Sequence, residues 1–205
     1  MSDVLIRFDG LACRRGDRVL WRGVSGALRP GAALHVVGAN GIGKSSLIRI
    51  LAGLLPAAMG RVERPARAAM IDEALALDRD LSVARALAFW AALDGSGDAA
   101  VTNALDRLGI AHLADVPVRF LSTGQRKRAG LARVLAADAP LWLLDEPGNG
   151  LDREGLALLE SLIAAHRVNG GAVIVASHLA LAMAGADSLD LSEHLPAPGA
   201  AWVEA

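Results

Sequence analysis

The chain has one cysteine, no tyrosine and almost no net charge among its 205 residues, and each scarcity excludes something. Cys13 alone can close no internal disulfide framework and can build no multi-cysteine metal cage, which fits a reducing compartment. A formal net charge of −1 gives no general attraction to nucleic acid or to anionic lipid. Hydrophobic residues make up 53% of the chain, yet charge, Gly, Pro or His interrupts every apolar stretch before the ~18 residues a membrane helix needs. The opening segment carries Asp3, Arg7 and Asp9 and lacks the apolar centre of a secretory signal, so the chain is expected to stay in the cytoplasm. The length suits one compact core, and we read residues 1–205 as a single domain.

Short β-rich runs at Val4 to Phe8 and Val19 to Trp21, joined by the turn-prone Arg14-Arg15-Gly16-Asp17, predict a small antiparallel sheet. Ala33 to Val37 reads as a buried strand, Gly38 to Gly43 as a glycine loop and Lys44 to Leu55 as a helix. An alanine-rich helical stretch follows from Leu81 to about Ile110, with Gly95-Ser96-Gly97 as a break. Beyond it the pattern alternates: helix at Ser122 to Ala136, strand at Leu141 to Leu144, helix at Arg153 to His166 and strand at Ala172 to Ala176. That alternation predicts a parallel sheet flanked by helices. The Pro- and Ala-rich tail from Leu195 to Gly199 predicts loose packing.

Gly38-Ala39-Asn40-Gly41-Ile42-Gly43-Lys44-Ser45 fits the pattern G-x-x-x-x-G-K-[ST] between a predicted strand and a predicted helix. Glycines let successive N–H groups and the positive helix end face one phosphate group while Lys44 reaches the outer phosphates. Ser45 is a Mg²⁺ ligand on this reading, and Ser46 completes the nucleotide-binding stretch. The bland alternative is an ordinary glycine turn. Leu141-Trp142-Leu143-Leu144-Asp145-Glu146 ends an apolar run in two carboxylates, where a buried strand normally gives way to turn chemistry. At the carboxyl end of a strand beside the phosphate loop, Asp145 holds the metal through water and Glu146 polarises a water toward the γ-phosphate. Without the glycine loop the same pair would more often just begin a solvated turn.

Leu121-Ser122-Thr123-Gly124-Gln125 opens a helix with a natural N-cap at Ser122 and with Arg126, Lys127 and Arg128 behind it. The segment resembles the Leu-Ser-Gly-Gly-Gln signature of ABC ATPases, with Thr123 in place of one glycine, and it precedes the paired carboxylates in the order that family shows. Gly150-Leu151-Asp152 resembles the family's D-loop, and Ser177-His178 its switch histidine. The resemblance implies an α/β P-loop NTPase with a RecA-like parallel sheet core, a small N-terminal antiparallel β subdomain and a helical subdomain inserted at about 75–135. It implies ATP and Mg²⁺ as ligands, with Glu146, His178 and Lys44 catalytic. It also implies a homodimer in which Ser122, Gly124, Gln125 and Asp152 of one copy meet the nucleotide held by the other. His35, His112, His166 and His194 lack such support and are read as structural.

Two family features are missing. The loop into the helical subdomain normally carries a glutamine, whereas Ile71-Asp72-Glu73-Ala74 offers only Glu73 or Asp72 as substitutes, and a carboxylate there repels phosphates unless it is metal-paired. The adenine-stacking aromatic is replaced by Arg15, whose guanidinium plane can stack on a base. Cys13 to Trp21, Leu121 to Arg128 and Leu141 to Pro147 together resemble the ATPase of the cytochrome c maturation (Ccm) haem exporter. That implies integral membrane partners of the Ccm type, a peripheral location on the cytoplasmic face of the bacterial inner membrane, and no nucleic-acid partner. No haem site is visible, since the chain has no Cys-x-x-Cys-His. The rival readings are another small-molecule, drug or lipid exporter ATPase, and a soluble non-transport ABC ATPase. The latter needs a long coiled coil or two fused halves, which the sequence lacks.

Overall fold

The computed structural model describes residues 4–65, 67–72 and 74–196. Two antiparallel strands open the chain, β1 (Ile6–Arg15) and β2 (Arg18–Leu28), paired from Ile6 with Leu28 to Arg15 with Arg18. Only Gly16 and Asp17 form the turn, Gly16 at φ +57°, so both strands run longer than their apolar patches suggest. The third strand of this sheet, β4 (Met59–Glu63), lies on the far side of β1. Its side chains are almost all exposed, and a strand held by backbone pairing alone leaves no alternating pattern to read.

The second sheet is parallel throughout: β3 (Ala33–Val37), β5 (Ala68–Ile71), β6 (Leu141–Asp145), β7 (Ala172–Ala176) and β8 (Asp187–Asp190), in the order β5-β6-β7-β3-β8. Every residue of β6 and β7 is buried, which explains their unbroken apolar runs. Successive side chains point to opposite faces. Leu141 and Leu143 accordingly join α1 (Lys44–Ala52) and the antiparallel sheet in one core, with Trp21, Phe8, Leu47 and Ile48. Trp142 and Leu144 join the other core, against α4 (Thr123–Ala136) and α5 (Arg153–Val168). Trp142 is a packing residue: its ring stacks on His166 at 3.9 Å and 8°, and burial lowers the His166 pKa.

The order of strands corrects one expectation. β6 is not beside the phosphate-loop strand β3; β7 lies between them, so the carboxylates at the end of β6 and the glycine loop after β3 face each other across the end of β7. Strands β5 and β8 went unforeseen because β5 is four residues with two alanines and β8 is Asp-Ser-Leu-Asp, an edge strand with two exposed residues. The helical stretch resolves into α2 (Val83–Leu93), capped by Ser82, and α3 (Asp98–Arg107). Both pack on α4, which in turn packs on β5, so α4 joins the helical lobe to one edge of the parallel sheet. No helix among the described residues is long and apolar enough to cross a membrane.

Candidate nucleotide site

The loop after β3 turns through three left-handed glycines, Gly38 at φ +139°, Gly41 at +77° and Gly43 at +109°. Gly43 is the N-cap of α1 and gives no side-chain cap, and the first turn of the helix holds no acidic residue. Its N–H groups and positive dipole end are left for an anion. A Cβ on Gly43 would come within 2.6 Å of the Trp21 Nε1 and 3.0 Å of Leu20, so the loop is laid directly on the buried Trp21. That indole N–H has no acceptor among the described residues. Ala39, Asn40 and Gly41 are exposed at the tip, and Ile42 N–H closes the turn onto the Ala39 carbonyl at 3.2 Å. Lys44, buried to 7% exposure, donates from Nζ to the Gly38 carbonyl at 2.8 Å and the Ala39 carbonyl at 3.4 Å. The ammonium thus holds its own loop in shape, with donors a phosphate can take over.

Asp145 ends β6 and is buried, with one carboxylate oxygen lacking a hydrogen-bond partner among the described residues. Burial raises its pKa, and the Ser45 hydroxyl pulls it down; the neighbouring Glu146 charge adds to the rise. An orphaned, desolvated carboxylate oxygen near a serine hydroxyl fits a hard divalent cation that keeps most of its shell for water and substrate phosphates. No cluster of three or more His, Cys, Asp or Glu side chains is disposed to hold a metal among the described residues, and a Mg²⁺ that shares substrate oxygens needs none. Asp145→Asn should therefore raise the thermal midpoint of the ligand-free chain at neutral pH. A carboxyl whose folded pKa lies above its unfolded value favours the fold below the ordinary carboxylate range, and that support is lost as pH rises through the raised pKa. The variant should flatten this fall in a pH series of melting curves; a lower midpoint at neutral pH would remove the account of Asp145.

Glu146 is in the left-handed region at φ +46°, a conformation costing ~1–2 kcal/mol for a residue with a Cβ. Its N–H is pinned to the Ala176 carbonyl at the end of β7, 2.8 Å away. The side chain, 14% exposed, brings Oε2 to 3.3 Å from the Ser177 hydroxyl and 3.0 Å from His178 Nδ1. A carboxylate can only accept, so the His178 proton is on Nδ1 in this state. To donate toward a phosphate, His178 must turn away from Glu146 or take a second proton, and its half-exposed ring has room to turn.

The Ser122 end of α4 carries a reciprocal capping box: Gln125 N–H donates to Ser122 Oγ at 3.3 Å, and Ser122 N–H donates to Gln125 Oε1 at 2.9 Å. Ser122 and Thr123 are exposed. Gly124 lets the turn press on the loop after β6, since a Cβ there would lie 3.2 Å from the Gly150 carbonyl. Asp152 caps α5 through Gly155 N–H at 2.8 Å and reaches Arg128 at 3.4 Å. These residues form one group, but that group is not at the glycine loop. Through Gly124 the group lies against the loop after β6, and in the sheet order β7 separates β6 from β3, the strand that leads into the glycine loop.

Arg15, exposed at the hairpin tip, reaches back so that its guanidinium is 3.5 Å from the Ser46 hydroxyl on α1. Asp72 is bound by Arg49 of α1 at 3.2 Å and accepts from Ala74 N–H at 3.0 Å. Arg49 thus offsets the charge of the Asp72 carboxylate; Glu73 lies outside the described residues. Arg49 escaped the sequence reading although it follows Ser45 by four residues, the spacing that sets two side chains on one helix face.

A phosphate cradle at a helix start, a buried lysine in it, and paired carboxylates across the carboxyl ends of a parallel sheet define a P-loop nucleotide hydrolase. The profile of the ABC transporter family matches residues 21–149, and the chain belongs to that family as an ATP-hydrolysing subunit. Among curated proteins it is 56% identical over 186 residues to the cytochrome c biogenesis ATP-binding export protein CcmA of Sphingopyxis alaskensis, covering 91% of this chain and 96% of that one. It is 55% identical over 173 residues to the protein of the same name from Novosphingobium aromaticivorans, covering 84% and 88%. Among solved structures, cbiO1 of Clostridium perfringens, part of the ABC transporter complex cbiONQ, superposes with a TM-score of 0.70 at 28% identity, covering 87% of this chain and 80% of that one. A putative ABC transporter ATP-binding protein from Pyrococcus furiosus gives 0.81 at 21% identity over 93% and 99%, a likeness of fold.

Proposed function

We propose that this chain is the ATPase of a haem-export complex in cytochrome c biogenesis, acting as two copies that enclose ATP at their interface. The observation that carries the paired arrangement is the separation within one chain of the glycine loop from the exposed Ser122 cap. The helix end at Ser122, Gly124 and Gln125 follows a different part of the sheet from the cradle, which supports its acting on a second copy's nucleotide. Asp152 lies beside that helix end and joins the same interface. The haem-related assignment rests on the relatives named above, which align over nearly the whole chain.

In the mechanism, Gly38 to Gly43 turn backbone N–H groups onto the phosphates, and Lys44 trades its loop carbonyls for the outer phosphate oxygens. Arg15 stacks on the base. Ser45 and Asp145 would hold Mg²⁺, whose charge neutralises the phosphate oxygens. Glu146, its backbone fixed against β7, takes a proton from the attacking water, and His178 released from Glu146 donates toward the γ-phosphate.

Membrane subunits of the Ccm type are the partners, which makes the chain peripheral on the cytoplasmic face of the inner membrane. Supporting this is a cavity of about 270 Å³ between β5 and the helical lobe, lined by Ile71, Leu75, Trp90 and Arg133. Leu54 in its lining is 70% exposed, and Phe89 and Leu93 of α2, the helix that carries the lining Trp90, are 57% and 65% exposed, exposed apolar side chains of the kind that meet a partner.

The test is complementation. Expressed in a bacterium lacking its own CcmA, the chain should restore covalent haem attachment to c-type cytochromes and fractionate with membranes, and Lys44→Ala should not. A chain that hydrolyses ATP but restores no haem attachment would leave the ATPase reading standing and remove the haem one.

A further inference from the structure

We propose that His35 is a positioning residue for hydrolysis, acting on Glu146 through Ser177; the inference rests on the reading of Glu146 as the base. His35 is in the middle of β3, three residues before Gly38, where an apolar branched side chain would serve a buried parallel strand better. It pairs in register with Val175 of β7, and Ser177 is the first residue past the end of that strand.

The ladder between β3 and β7 stops at Val36 and Ala176. Just past it, the Ser177 carbonyl receives the His35 ring instead, with Nε2 at 3.1 Å. A carbonyl has no hydrogen to give, so Nε2–H is the donor. Ser177 itself is 1% exposed. Its hydroxyl oxygen accepts from Leu179 N–H at 2.9 Å and donates to Glu146 Oε2 at 3.3 Å, the same oxygen that meets His178. Three contacts thus fix the Ser177 peptide and hydroxyl, and the one from His35 comes from the strand that carries the phosphate cradle. His35 couples the cradle to the base: with it, the carboxylate of Glu146 keeps a set orientation relative to the phosphate, and without it the Ser177 peptide can rotate and take its hydroxyl with it.

His35→Val and His35→Gln in the full chain separate this role from plain packing. A glutamine amide can still donate to the Ser177 carbonyl; valine cannot. His35→Val should lower kcat about tenfold or more with ATP affinity and thermal midpoint little changed, and His35→Gln should recover most of the loss. Ser177→Ala should give a similar fall, and the pair His35→Val with Ser177→Ala should be little worse than the more damaging single change, because both act on one path. If His35→Val folds poorly, His35→Asn, polar but too short to reach Ser177, takes its place with the same expectation. An unchanged kcat, an equal loss of kcat and ATP affinity, no recovery by glutamine, or multiplying losses in the double variant would each overturn the role of His35. Glu146→Gln run in parallel keeps the two readings apart: if it abolishes turnover while His35→Val turns over normally, only His35 is excluded, and if Glu146→Gln itself turns over normally the underlying reading fails first.

Discussion

Glu146→Gln is expected to lower ATP turnover by about 100- to 10,000-fold, the usual contribution of a positioned general base, and to leave ATP bound. The amide matches the carboxylate in shape, so the left-handed backbone and the Glu146 N–H bond to Ala176 remain, and only the capacity to take a proton is lost. Ser177 can still donate to the amide oxygen, whereas the Nδ1 contact of His178 is weakened, which frees the ring rather than removing it. Phosphate release in steady state, read beside retained nucleotide after gel filtration, checks both halves. Unchanged hydrolysis would take Glu146 out of the mechanism.

Lys44→Ala is expected to weaken ATP binding by roughly 30- to 150-fold, from about 2–3 kcal/mol for a charge-assisted hydrogen bond in a sheltered site. Two effects add. The triphosphate loses its one buried ammonium, and the loop loses the tie from Nζ to the Gly38 and Ala39 carbonyls that shapes it beforehand. The glycines, the Trp21 floor and the free start of α1 stay, so some affinity should persist. Calorimetric titration with ATP and Mg²⁺ measures the change; binding at the parental affinity would refute the role of the loop lysine.

These expectations depend on residues that the sequence made visible to different degrees. Short-range chemistry was legible: Ala33 to Val37 and Ala172 to Ala176 stand as strands at those bounds, and α4 is capped by Ser122, because a buried parallel strand and an N-cap leave local patterns. Elements held by backbone pairing left none, as in β4, β5 and β8. The interleaving of β7 between β3 and β6 is a fact of long-range order that no local pattern encodes. It is also what places Ser177 between cradle and base. The contacts that orient the site, Arg49 with Asp72 and His35 with Ser177, join residues 23 and 142 positions apart, beyond any motif spacing.

Cross-linking tests the paired arrangement most directly. In a Cys13→Ala background, Asn40→Cys on the exposed loop tip and Ser122→Cys at the exposed cap should form a disulfide only between two copies, and only with ATP and Mg²⁺ on a Glu146→Gln chain that keeps its nucleotide. A covalent dimer that needs both cysteines and the nucleotide is the predicted result. Nucleotide retained by a chain that stays uncross-linked and monomeric under the same oxidation would contradict it.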